Sequence, residues 1–324
     1  MAGGTVTREE GMALAGLQPH DILELFSAAG RITRHFLGSS VDLCAIVNAK
    51  SGACSEDCSY CAQSARSRAG TAVYPLLDED AILEKATYAR DNSVRRFCIV
   101  TSGRRVSRSE LARIGRVIEK IRLLGLLPCA TLGLLEEDDL RLLRDSGLER
   151  YHHNLESSES HFSRVCTTHS YADKIRTIEA VKAAGLSLCS GGIFGMGETW
   201  QDRVEMAFLL GDLGADSIPI NFLTPVKGTP LEGMEPLHPL DALKIISVYR
   251  YIHPRREIRV CGGRLQTLGE LNPLLFVAGA SGLLVGNYLT TLGRDMGHDV
   301  TLIRMMGLSV KSAAEGDGLC APTS

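Results

Sequence analysis

The feature that most restricts the fold of this chain is an alternation repeated along most of its length. A short apolar run is followed by a stretch with the periodicity of an amphipathic helix. The apolar runs fall at residues 41–48, 97–101, 127–132, 151–155, 187–194, 217–222, 257–261 and 283–287, eight candidate strands in all. Between two of them, Leu111, Ile114, Val117, Ile118 and Ile121 follow the i, i+3, i+4, i+7 spacing of one buried helical face. Ser107, with Glu110 three residues later, forms a capping-box signature at that helix's start. Eight strand–helix units over roughly 250 residues suit a closed parallel (β/α)8 TIM-type barrel; an open doubly wound α/β sheet is the alternative. The expected organisation is an N-terminal helical extension over 1–40, the barrel over 41–310 and a flexible tail over 311–324. Residues before about Gln18 and after about Val310, rich in Gly, Ala, Ser and Asp, read as weakly structured.

Bulk properties narrow the function classes. The 35 basic and 38 acidic residues nearly balance, which argues against a dedicated nucleic-acid binder. The longest apolar run, residues 274–285, is too short to cross a bilayer, so no membrane partner is expected; it reads as a buried helix end leading into a strand. No basic segment followed by an apolar stretch opens the chain, so a cytoplasmic location is expected. Ten cysteines in that setting point to metal or redox chemistry rather than disulfides.

The cysteines fall into two groups. Directly after the first strand, at the start of a long segment over 49–77, Cys54, Cys58 and Cys61 stand at CxxxCxxC spacing. Three thiols on one loop suit an iron–sulfur cluster with one open iron, since a structural zinc site wants four protein ligands. A zinc loop with a distant fourth ligand, or plain reactive thiols, are the alternatives. Cys98, Cys129, Cys189 and Cys261 lie on four different candidate strands. Singly, buried cysteines are usually small hydrophobes; together on one barrel they suggest a second metal site. Arg259 shares the strand face of Cys261, and a guanidinium inside a barrel calls for an anion or metal centre, unless it caps the strand end in solvent. Cys44, Cys166 and Cys320 fit no site. His152 and His153, as strand neighbours, should face opposite ways; so should Arg95 and Arg96, with Arg96 the inward one.

The loop spacing, with Tyr60 just before the last cysteine, resembles the radical S-adenosylmethionine (SAM) superfamily. That resemblance implies that Cys54, Cys58 and Cys61 hold a 4Fe–4S cluster whose fourth iron takes the methionyl amine and carboxylate of SAM. Asn48-Ala49-Lys50-Ser51-Gly52-Ala53-Cys54, His153-Asn154-Leu155-Glu156, Cys189-Ser190-Gly191-Gly192-Ile193, Pro219-Ile220-Asn221-Phe222 and Val226-Lys227-Gly228-Thr229-Pro230-Leu231 are similar to segments of the biotin synthase family. The family likeness implies sulfur insertion into dethiobiotin, with an auxiliary 2Fe–2S cluster on Cys98, Cys129, Cys189 and Arg259 as sulfur donor. The family's better-known members carry serine where this chain has Cys261. A fourth inward thiolate is softer than a guanidinium, so an auxiliary cluster larger than 2Fe–2S, or one ligated by Cys261, is expected. The pattern Gly191-x-Ile193-x-Gly195-x-x-Glu198 resembles the adenine-side motif of the superfamily. By the same likeness Tyr60, Asn154, Glu156 and Lys174 contact SAM, and Asn154 and Asn221 contact dethiobiotin. The superfamily's acidic turn after strand two is replaced by Thr101-Ser102-Gly103-Arg104. No side chain is expected to act as acid or base. Reduced ferredoxin or flavodoxin as electron donor and a homodimer are what the family implies. A related radical enzyme, such as methylornithine synthase or a hydrogenase maturase, is the competing reading; a non-catalytic electron-transfer or metal-storage protein is a more distant one.

Overall fold

A computed structural model describes residues 6–18, 20–289 and 293–312; Cys320 lies outside them. Two helices precede the barrel, α1 (Arg8–Ala15) and α2 (Ile22–Leu37). The first occupies a stretch expected to be weakly structured. Composition misled there because α1 is held by local capping and tertiary contacts. Thr7 and Glu10 form a reciprocal capping box. Lys244 donates to the carbonyls of Ala15 (3.1 Å) and Leu17 (3.3 Å) at the helix's other end.

Among the described residues ten strands follow: β1 (Ser40–Lys50), β2 (Arg96–Thr101), β3 (Leu127–Thr131), β4 (Arg150–His152), β5 (Ser187–Cys189), β6 (Gly192–Phe194), β7 (Ser217–Phe222), β8 (Glu257–Val260), β9 (Gly282–Leu284) and β10 (Ser309–Val310). All pairings are parallel, and β1 pairs with both β2 and β9, which closes the sheet. With β5 and β6 as one interrupted stave, the result is the closed eight-stave barrel anticipated from the alternation; the open sheet is excluded. The break falls at Ser190 and Gly191. A Cβ on Gly191 would lie 2.0 Å from the carbonyl oxygen of Pro219, so only glycine lets the two backbones approach. The short β10 adds to the start of β1.

The helices α3 (Glu79–Asp91), α4 (Arg108–Leu123), α5 (Glu137–Asp145), α6 (Glu159–Phe162), α7 (Tyr171–Ala183), α8 (Trp200–Asp212), α9 (Pro239–Ile252), α10 (Arg264–Leu268), α11 (Leu274–Val277) and α12 (Met296–Met305) connect the staves. Each of the five anticipated apolar positions of α4 is buried, and Ser107 and Glu110 make the expected box. The run at 274–285 is indeed a short helix leading into β9.

One buried histidine on this outer shell carries a pH dependence. His253, at the C-terminal end of α9, is 2.8 Å from the carbonyl oxygen of Ala207 through Nε2, and burial lowers its pKa from 6.5 to about 4. The folded state therefore resists a proton that the unfolded chain accepts, so stability is complete above pH ~6.5 and falls as the pH drops toward ~4. The full window corresponds to about 3 kcal/mol. Urea midpoints measured between pH about 4 and 7.5 should decline on the acid side, and His253→Gln should flatten that decline.

Candidate functional site

Barrel chemistry sits at the end where the strands point their C-termini, because the loops there are free to vary while the staves stay rigid. The loop after β1 is built for that position. Gly52 (φ +71°) and Ala53 (φ +49°) turn the chain sharply out of the strand. Cys54 N–H donates to the Gln63 carbonyl (3.0 Å), Ala65 N–H to the Cys54 carbonyl (2.8 Å) and Cys61 N–H to the Cys58 carbonyl (2.9 Å). The loop is thus closed on itself, and Ser59 N–H ties it to Val165 at 2.8 Å. Cys54, Cys58 and Cys61 all line one cavity of roughly 430 Å³, a size that suits small organic molecules.

The same cavity is lined deeper in the barrel by Cys98, Cys129, Cys189, Cys261 and Arg259. Cys98 and Cys129 are register partners on adjacent strands. The four strand cysteines anticipated from sequence therefore share one chamber. Two residues were missed. Cys44, given no role by the sequence, lines the cavity and packs with Cys98, Cys129 and Cys261, making a fifth thiol. His152, expected only to pack, stands with Nδ1 3.2 Å from the Cys189 sulfur. Register was the available signal for it, since His152 pairs with Cys189 across β4 and β5. Burial pushes the Cys44 thiol up to about 12 and lowers the His152 pKa, so neither ionises readily in the bare chamber.

Arg259 is inward, as anticipated, and not a solvent-facing cap. Its two terminal nitrogens are occupied, however. Nη1 donates to the carbonyls of Asp42 (3.2 Å) and Leu283 (3.0 Å); Nη2 donates to Asp42 Oδ1 (2.6 Å) and Glu257 Oε1 (2.5 Å). Asp42 also accepts from Arg95 Nη1 at 2.9 Å. Both Arg95 and Arg96 are buried, but only Arg96 lines the cavity, as anticipated; Arg95 is held at the strand's foot by Asp42.

β4 ends at His152, so Asn154 and Glu156 lie beyond it and strand alternation is not what aligns them. They do face one cavity, because Glu156 adopts φ +73° and Asn154 Nδ2 donates to Glu156 Oε2 at 3.2 Å. Asn154 Oδ1 accepts from Gly191 N–H at 3.1 Å. Lys174 lines the cavity and donates to the Asn154 carbonyl at 3.0 Å. Tyr60 lines it too; burial and then the nearby Glu156 carboxylate hold its hydroxyl well above the usual range. Ile193 is part of the lining, whereas Gly191, Gly195 and Glu198 stand outside it. Glu198 instead accepts from Gly195 N–H (2.9 Å) and Met196 N–H (2.8 Å) and pairs with Arg203 Nε at 2.8 Å, which fixes the turn behind Ile193. Thr199 and Asp202 cap the next helix. Asn221 lines the cavity with its amide half-used, donating to the Gly192 carbonyl (3.2 Å) and accepting from Gly262 N–H (3.0 Å). One N–H and one lone pair remain for a ligand. Where the superfamily's acidic turn is missing, Arg104 lines the cavity and reaches the Thr168 carbonyl (2.7 Å).

The chain matches the radical SAM superfamily over residues 49–210 and the biotin and thiamin synthesis associated domain over residues 219–309. It is 53% identical over 291 residues to biotin synthase of Thermodesulfovibrio yellowstonii, covering 90% of this chain and 92% of that protein. With biotin synthase of Pelotomaculum thermopropionicum it shares 47% over 310 residues, covering 95% and 97%. Among solved structures, methylornithine synthase superposes with a TM-score of 0.81 at 22% identity, covering 96% of each chain. An FeFe-hydrogenase maturase from Carboxydothermus hydrogenoformans gives 0.81 at 16% identity, covering 94% of this chain and 76% of that one. At such low identity, these two likenesses speak for the fold alone.

Proposed function

The chain belongs to the biotin synthase family of radical SAM enzymes, and from that premise we propose how its own residues divide the work of inserting sulfur into dethiobiotin. The cofactors of that chemistry are a 4Fe–4S cluster with SAM, and an auxiliary iron–sulfur cluster. When bound, the first supplies the electron that splits SAM into methionine and a 5′-deoxyadenosyl radical, and the second supplies sulfur.

Cys54, Cys58 and Cys61 are the residues to hold the 4Fe–4S cluster. Their donor chemistry fits: three soft ligands face the cavity, leaving one coordination position for an organic ligand. Desolvation acts on the loop too, raising the Cys61 thiol to about 11, so that sulfur needs a bound cation to ionise at neutral pH. Tyr60, Asn154, Glu156, Lys174 and Ile193, which line the cavity, are assigned to SAM, with Gly191, Gly195 and Glu198 as the wall behind. Asn221 and Asn154 are assigned to dethiobiotin, the free half of the Asn221 amide suiting a cyclic urea that both donates and accepts.

Cys98, Cys129 and Cys189 are the residues to hold the auxiliary cluster. The single observation that carries the reading is that two separate groups of thiols line one chamber large enough to admit organic molecules between them. For the remaining ligand, the occupied nitrogens of Arg259 favour Cys261, with Cys44 beside it. The barrel's role is to position both molecules and to exclude water, and no side chain needs to move a proton. A homodimer and reduced ferredoxin or flavodoxin as electron donor are carried over from the family likeness.

Anaerobic reconstitution with dethiobiotin, SAM and a low-potential reductant tests the function. Biotin should form, whereas deoxyadenosine without biotin would overturn the reading. Iron per chain should reach about eight rather than about six if the auxiliary cluster exceeds 2Fe–2S. Cys261→Ser should change the auxiliary Mössbauer signal and leave the 4Fe–4S signal intact; an unchanged auxiliary signal would remove Cys261 from the ligand set.

A further inference from the structure

Cys166 is 4% exposed, lies in the turn between α6 and α7, and does not line the cavity. The function above makes no use of it. Its sulfur, the Cys58 sulfur and a ring nitrogen of His169 nevertheless all lie within 4.8 Å of one another. The Cys166 sulfur is 3.3 Å from His169 Nδ1 and 3.2 Å from Asp57 Oδ1. Glu56 Oε2 is 2.5 Å from the same imidazole nitrogen. Two thiols, one imidazole and two carboxylates therefore converge where the loop over 54–61 meets the segment over 166–169.

The two segments are locked together. Asp57 Oδ1 accepts from Thr167 N–H (2.9 Å) and Thr168 N–H (3.2 Å), and Thr168 Oγ1 donates to Glu56 Oε2 (2.8 Å). A tetrahedral cation about 2.3 Å from sulfur and about 2.0 Å from nitrogen separates those two donors by about 3.5 Å. The observed 3.3 Å between the Cys166 sulfur and His169 Nδ1 matches that edge within a few tenths of an ångström. Two sulfurs and an imidazole select a borderline divalent ion over magnesium or calcium.

We propose that, before the radical cluster is assembled, Cys58, Cys166 and His169 form a binding site for one borderline divalent cation of the zinc(II) or iron(II) type. Asp57 Oδ1, 3.2 Å from the Cys166 sulfur, completes the shell, since Glu56 Oε2 stands too close to His169 Nδ1 to share one cation with it. Because Cys58 serves both this site and the 4Fe–4S cluster, the two occupants exclude each other; that consequence alone rests on the ligand assignment made above. A cation held here keeps the loop folded but withholds one of its three cluster ligands.

The test uses the full-length, cluster-free chain under anaerobic conditions, with zinc(II) as the probe. Alkylation by iodoacetamide is followed at Cys166 by peptide-resolved mass spectrometry, since Cys166 belongs to neither cluster. At free zinc about ten times Kd, labelling of Cys166 should slow about tenfold. His169→Ala and Cys58→Ser should each return the ratio with and without zinc to one. Zinc stoichiometry by chelator competition gives a reading that does not depend on reagent access: Cys166→Ser/His169→Ala should bind one equivalent fewer. Equal stoichiometry, or protection that survives His169→Ala, overturns the site. In a second arm, zinc-loaded chain should assemble its iron–sulfur chromophore more slowly than zinc-free chain, and Cys166→Ser should abolish that delay. Protection of Cys166 without any delay upholds the cation site and removes Cys58 from the cluster ligands.

Discussion

Cys129→Ala is expected to release methionine and 5′-deoxyadenosine from SAM while forming no biotin, whereas Cys61→Ala is expected to release none of the three. The contrast follows from where the two thiols stand. Cys61 is on the loop that leaves β1, and Cys129 is on β3, at the level of Cys98 and within the chamber's deeper thiol group. Removing a direct ligand should cost more than the 10- to 100-fold typical of losing an outer partner, so each affected product should fall by over about a hundredfold. Chromatography of quenched anaerobic reactions measures all three products at once. Biotin formation by the Cys129→Ala chain at parental rates would separate the strand thiols from sulfur donation. Loss of deoxyadenosine in that variant would instead join the two thiol groups into one centre.

Asp42→Asn is expected to destabilise the chain markedly although it is a conservative change outside the cluster loop. Asp42 is 3% exposed and stands between Arg95 and Arg259, both buried. The substitution keeps the volume but removes the charge that Arg95 and Arg259 share, leaving Arg259 with Glu257 as its anionic partner. Breaking a buried pair in this way costs about 3–5 kcal/mol, because the surviving charge stays desolvated. For a chain of this length the melting temperature should drop by roughly 4–7 °C. Burial by itself would raise the Asp42 pKa, but Arg259 and then Arg96 hold it below the ordinary carboxylate range. A depressed carboxylate stabilises above its unfolded pKa and loses that contribution as the pH falls through the folded value. The gap between parent and variant should therefore stay constant from about pH 5 to 8 and narrow only on stronger acidification. Calorimetry on the cluster-free chain checks both statements, and a drop below about 2 °C would mean that the arginines find other partners.

How much of this molecule could be read from its residues depends on the range of the interactions involved. The eight staves were legible because a parallel strand buried on both faces needs a continuous apolar run, and the run is local in sequence. The break between β5 and β6 was not, since it arises where Gly191 meets Pro219, a contact between strands. Helix α1 was missed only in part for that reason, since its Thr7–Glu10 capping box is local while its contacts with Lys244 are not. Cys54, Cys58 and Cys61 were legible because three ligands on one short loop meet through local geometry. Cys98, Cys129, Cys189 and Cys261 required the further inference that their strands share a barrel, and the closed sheet supplies that condition. Asn154 and Glu156 came together as expected, but through the positive φ of Glu156 rather than strand alternation.

Residue types and short spacings thus determined that the chain winds into a barrel, that soft-metal ligands gather on the loop after β1, and that an arginine turns inward beside Cys261. Only the tertiary structure decided what those groups meet. One of the two carboxylates that hold Arg259 lies 217 residues away, Cys44 becomes a chamber thiol through strand closure, and Cys166 reaches Cys58 across a gap that no spacing rule spans. The physical reason is that local backbone geometry fixes which way a side chain leaves its strand. The surroundings it enters, and hence its charge state and its ligands, are set by elements distant in the chain.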